Sequence, residues 1–177
     1  MCSLQPFKID LKGLKDGETR LTFSLDNGYF EAIDAPEVRK GCVGVELLIK
    51  KTADRYFELD FRLEGEVMVQ CDRCLDDMPQ EIAAESSLAV KFGDEYSEDD
   101  DLVTVPEDDG VLDVAWFIYE FIALNIPIKH VHAPGKCNRA MIQALEEHSA
   151  ARSSDGVDDK HIDPRWSGLL KIKELKD

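Results

Sequence analysis

The chain has 177 residues, 44% of them hydrophobic, enough to bury one substantial core and too few to house two full domains in comfort. With 21 Lys and Arg against 37 Asp and Glu the net charge is −16, which excludes a protein that grips phosphates by bulk electrostatics and leaves any RNA contact local or indirect. The start, Met1-Cys2-Ser3-Leu4-Gln5-Pro6, has no basic region leading into an apolar run, and no stretch approaches the roughly 20 apolar residues of a membrane span. A cytoplasmic protein without membrane contact is therefore expected. The cysteines number five, which argues against a disulfide framework and for reduced thiols or metal ligation.

The first ninety or so residues read mainly as strands. Phe7, Ile9 and Leu11 alternate with polar neighbours, as do Leu21, Phe23 and Leu25, then Val43, Val45, Leu47 and Ile49. A period of two marks half-buried antiparallel strands. Tyr56–Leu63 and Glu66–Gln70 continue the pattern, with Gly65 placed to bend or bulge the chain between them. The segment 82–92 mixes helix formers with alternation and is read as a strand. A meander is the simplest topology, with closure into a barrel as its variant.

Residues 94–109 hold many carboxylates and no basic residue, so they read as a solvated loop, within which Leu102-Val103-Thr104-Val105 can form a short strand. That loop either solubilises the chain or docks a basic partner protein. From Val114 the period becomes helical: Val114, Phe117, Ile118, Phe121, Ile122 and Leu124 make a broad apolar face, Asp113 can cap it, and Pro127 ends it. Trp116, Tyr119 and Phe121 read as core residues rather than base-stacking platforms, because the whole helix is apolar. A second, more polar helix is expected from Asn138 to His148. The expected architecture is thus α+β: an antiparallel sheet packed by one apolar helix, with a short second helix. Residues 1–149 would form the single domain, 150–162 a flexible linker and 163–177 a docking segment.

Two segments can carry chemistry. Cys71-Asp72-Arg73-Cys74 is a knuckle whose two thiolates can face one ion, and His132 with Cys137, spaced by four residues, can supply the other two corners of a tetrahedron. Cys71, Cys74, His132 and Cys137 are therefore a candidate structural zinc site, with a metal-free pair of thiols near the core as the alternative. A redox dithiol would want Cys71 at a helix N-terminus, and no strand-to-helix turn follows it. There is no glycine-rich phosphate loop, no His-Glu-x-x-His helix and no nucleophile elbow, so an enzyme and a small-molecule substrate are not expected.

The closing Asp163-Pro164-Arg165-Trp166, followed by Leu169, Leu170 and Ile172, carries too much apolar surface for a free tail. Asp163 can cap a short helix with Pro164 in its first turn, and the segment should dock on its own domain or on a partner. Taken in series, Val69–Leu75, Gly110–Asp113, Glu120–Pro127 and Asp163–Trp166 resemble the YceD-like family of bacterial and plastid proteins, from about Leu47 onward. The resemblance implies a role in synthesis, processing or stability of large-subunit (23S) ribosomal RNA, in a family whose gene is commonly beside one for a large-subunit ribosomal protein. It also implies large-subunit components or RNA-processing proteins as partners; Arg165 and Trp166, an Arg and an aromatic of the kind that anchor interfaces, are read as part of the partner surface, with Arg73 and Asp163 assigned to it as well. The net charge favours an adaptor that holds a basic protein over an RNA binder. A zinc-stabilised interaction module unrelated to the ribosome, and a metal-dependent hydrolase, stand as alternatives.

Overall fold

Alternation of β-branched, aromatic and aliphatic residues with charged ones builds a sheet that buries one face and leaves the other in water. The computed structural model describes residues 4–15, 17–99 and 102–148. In chain order these form strands β1 (Lys8–Asp10) and β2 (Glu18–Leu25), helix α1 (Asn27–Ile33), and strands β3 (Lys40–Ala53), β4 (Tyr56–Gln70) and β5 (Asp77–Gly93). Strands β6 (Ser97–Asp99), β7 (Leu102–Pro106) and β8 (Val111–Asp113) follow, then helices α2 (Ala115–Asn125) and α3 (Arg139–His148). Helix α3 buries no residue, and Asn138 caps it by accepting from the Ala140 and Met141 N–H groups. The chain divides after Ile142, and the sheets, α1, α2 and the cysteine cluster all lie before that point.

The fold is α+β, as expected. Strands β2 to β5 form the antiparallel meander in a six-stranded sheet of order β2-β3-β4-β5-β7-β6. The sheet is open, with β2 and β6 at its edges, so the barrel variant does not apply. Two further corrections concern the margins. β1 leaves the meander and pairs with β8, Ile9 opposite Leu112, in a separate two-stranded sheet. The short strand expected at Leu102–Val105 within the acidic stretch is present as β7, yet it is not solvated: it pairs parallel to β5 and buries Val103, Thr104 and Val105, because apolar burial outweighs the charge on either side.

Alternate residues are buried along much of the three longest strands: Val43 to Ile49 on β3, Phe57 to Leu63 and then Val67 and Val69 on β4, Ile82, Ala84, Leu88 and Val90 on β5, with Gly65 and Ser86 half-buried on the same face. Helix α2 lies against this face, with the Phe121 ring 5.1 Å from that of Phe61. Helix α1, which periodicity alone does not reveal, brings Tyr29 and Phe30 into the same core, and the Tyr29 hydroxyl donates to the Ala115 carbonyl at 2.7 Å. Burial raises the Tyr29 pKa, with smaller contributions from Tyr119 and Asp113, so the hydroxyl keeps the proton it donates.

Gly65 does not bulge the chain. Pairing runs unbroken through Val43 and Gly65, and a Cβ there would run into the Cys42 carbonyl oxygen and the Val43 backbone, so the glycine serves close approach of two strands. Helix α2 begins one residue later than expected. Asp113 accepts from the Ala115 N–H at 3.0 Å, and Pro127 follows the extended Ile126 at the other end. Tyr119 is buried and Phe121 is packed on the core, whereas Trp116 is half exposed and gives its indole N–H to Glu120. An evenly apolar helix cannot announce which ring turns outward.

The open face of the sheet is acidic. Glu46, Glu58, Glu64, Glu66, Glu81 and Glu85 project from it, with Arg62 paired to Glu64 and Lys50 to Asp60. No helix among the described residues is long and apolar enough to cross a membrane. The expected linker 150–162 and docking segment 163–177, with Asp163, Arg165 and Trp166, lie outside the described residues.

Candidate metal centre

Strands β4 and β5 are joined by six residues between the paired Gln70 and Asp77, and the knuckle is that hairpin loop. Its conformation is held by the backbone: the Cys71 N–H donates to the Asp76 carbonyl and the Leu75 N–H to the Cys71 carbonyl, both at 2.9 Å. Cys71 and Cys74 are thereby turned inward and buried, while Asp72, Arg73 and Leu75 face out.

The second half comes from the chain leaving α2. Asp72 ties it down: its N–H donates to the His130 carbonyl at 3.0 Å, and its carboxylate accepts the His130 N–H at 2.7 Å. The His130 ring lies 3.5 Å from the same carboxylate and 2.9 Å from the Pro127 carbonyl. Further along, Asn138 donates to Asp76 at 3.2 Å. These contacts hold the two segments edge to edge before any ion is considered. Asp72, Asp76, His130 and Asn138 escaped the sequence reading. Their one signal is position: each lies within two residues of a candidate cysteine or histidine donor.

The arrangement brings Cys71, Cys74, His132 and Cys137 together, with one donor atom from each lying within 4.8 Å of all the others. Cys71 Sγ stands 4.0 Å from Cys137 Sγ, and Cys74 Sγ stands 3.4 Å from His132 Nδ1. Around a tetrahedral zinc the corresponding edges are about 3.8 Å between sulfurs and about 3.5 Å from sulfur to nitrogen, from bonds of roughly 2.3 and 2.0–2.1 Å. The donor set fits such an ion in number, chemistry and spacing.

The thiols differ in acidity. Burial opposes ionisation of Cys71 most strongly, yet the N–H groups of His132, Arg73 and Cys74 and the His132 side chain outweigh it and bring the thiol down to about 6. Cys137 is pushed the other way, by burial and by its hydrogen bonds to Cys71 and Cys74. N–H groups aimed at a sulfur stabilise a thiolate, the form that binds metal.

A family model described as large ribosomal RNA subunit accumulation protein YceD matches residues 59–173, which takes in most of β4, the knuckle, α2 and all four donors. The chain belongs to the YceD family. The match begins inside β4, about a dozen residues after the point from which the sequence resembles that family, and leaves β1 to β3 and α1 outside it. The YceD description carries a role in accumulation of large-subunit ribosomal RNA and names no catalytic activity. Comparison with curated proteins gave no match, and comparison with solved structures gave none.

Of the residues expected in a partner surface, Arg73 is exposed on the knuckle and makes no ion pair with another described residue.

Proposed function

We propose that this chain is a non-enzymatic assembly factor of the large ribosomal subunit, an adaptor that supports 23S ribosomal RNA accumulation by holding basic ribosomal or RNA-processing proteins. The observation that carries the reading is the YceD family match over residues 59–173. Charge narrows it. A net charge of −16 and an open sheet face rich in glutamate repel a phosphate backbone and attract basic proteins, whose association they would steer.

In this reading Cys71, Cys74, His132 and Cys137 hold one zinc ion with a structural task. Four protein donors fill a tetrahedron and leave no position for water or substrate, which speaks against the hydrolase alternative. The ion would fasten the β4–β5 hairpin loop to the segment after α2 and fix the surface that both present.

The test is affinity purification from cells, with bound proteins and RNA identified together. The reading expects large-subunit ribosomal proteins or processing factors, bound after nuclease treatment and released by salt. Partners unrelated to the ribosome would contradict it, and an RNA-only preparation would contradict the adaptor role.

A further inference from the structure

Leu75 is the residue after the knuckle's second cysteine, and it sits at φ +62°, in the left-handed region that glycine occupies freely and a leucine only under strain. The hydrogen bond that closes the knuckle needs the Leu75 N–H alone, which glycine would supply equally well. Nor does burial compensate, since Leu75 is 60% exposed. A strained, largely solvent-facing leucine costs folding stability and returns little burial inside the fold.

It does not stand alone. Leu75 lines a groove of about 850 Å³ together with Ile126, Pro127 and Ile128 from the segment after α2, and Ile128 is fully exposed. The two apolar walls belong to the two chain segments that the cysteine–histidine cluster joins. The groove holds no Phe, Tyr or Trp; its one imidazole, His130, is held against the Pro127 carbonyl and the Asp72 carboxylate, and Glu37, Asp72 and Asp77 line it beside Arg39 and Lys40. These features favour an aliphatic anchor from a protein over a nucleotide. A second copy would set another −16 against the first.

We propose that this groove is a docking site for a short segment of a basic large-subunit protein, which buries an apolar side chain between Leu75 and Ile128. The proposal rests on the adaptor reading above and gives it an address. Long-range attraction brings the basic partner to an acidic chain, and the aliphatic walls set how long it stays.

The experiment uses the full-length, zinc-loaded protein with a photo-cross-linking amino acid at position 75, 128 or, on the open sheet face, 87. The probes are intact large subunits and the mixture of proteins stripped from them. Cross-links from 75 and 128 to one or a few basic ribosomal proteins are expected. Leu75→Gly and Ile128→Asp should each lower the capture of those same proteins by tenfold or more in the unlabelled chain. Leu75→Gly should do so with its zinc content intact and its melting temperature unchanged or raised by about 2–4 °C. Cross-links from 75 to residues 163–177 of the same chain, to a second copy or to RNA would overturn the proposal, as would a fall in stability of Leu75→Gly. If large-subunit proteins are captured from position 87 and not from 75 or 128, the groove is refuted while the adaptor reading stands. If none is captured from any position, or by affinity purification, the adaptor reading itself fails.

Discussion

Cys71 Sγ and Cys137 Sγ lie 4.0 Å apart across 66 residues of sequence, one at the end of β4 and the other beyond α2. Such an approach of two thiols needs the hairpin and the post-helix segment to be held in register, and an ion shared with Cys74 and His132 would hold them. A ligand that binds only the folded state adds about 2.7 kcal/mol at a free concentration one hundred times its Kd, or roughly 5–10 °C in a protein of this size. A strong chelator should therefore lower the melting temperature of the wild type by that amount. It should leave Cys71→Ser and Cys137→Ser, already lowered, where they are.

Asp72 supplies the tether that does not involve the cluster. Asp72→Ala removes the acceptor for the His130 N–H, which is exposed and can turn to water, and should cost about 0.5–1.5 kcal/mol. Because the ligand segment is then less well placed, zinc affinity measured by chelator competition should fall by about tenfold, as for other residues that orient metal ligands. Unchanged affinity would show that the His132 segment is positioned by other contacts.

Gly65 tests the closeness of β3 and β4. In Gly65→Ala the new Cβ meets backbone atoms of Cys42 and Val43, which cannot rotate aside, and the strands must part. A loss of about 2 kcal/mol or more in denaturant unfolding is expected. A near-neutral result would mean that the sheet yields at this point.

Two core tyrosines should respond in opposite directions. Tyr29→Phe removes a buried hydrogen bond to the Ala115 carbonyl and should cost about 1 kcal/mol. The Tyr119 hydroxyl is buried without a hydrogen-bond partner among the described residues, so Tyr119→Phe should be neutral or stabilising by about 1 kcal/mol. Parallel unfolding curves for the two variants would check both.

The meander was legible because its strands are long and buried on one face, which forces the period of two from Val43 through Val90. Helix α1 was not, because seven residues offer too few turns to show a period. Asp26, which caps it by accepting the Tyr29 N–H, was its only signal. The pairing of β1 with β8, and the parallel seat of β7 beside β5, depend on contacts far apart in sequence that no local pattern encodes. The donor set could be read from the spacing of Cys71 with Cys74 and of His132 with Cys137. The groove beside it could not, since it depends on the left-handed backbone of Leu75 and on where α2 delivers Ile128.

The account turns on whether the four donors hold an ion, and the most direct measurement is the metal stoichiometry of the purified full-length protein, by elemental analysis and native mass spectrometry. The prediction is one zinc per chain, bound as received or taken up from one added equivalent with a rise in melting temperature, and absent in the Cys71→Ser, Cys137→Ser double variant. A folded protein that neither contains zinc nor is stabilised by it would contradict the claim and leave the cluster as a group of packed thiols.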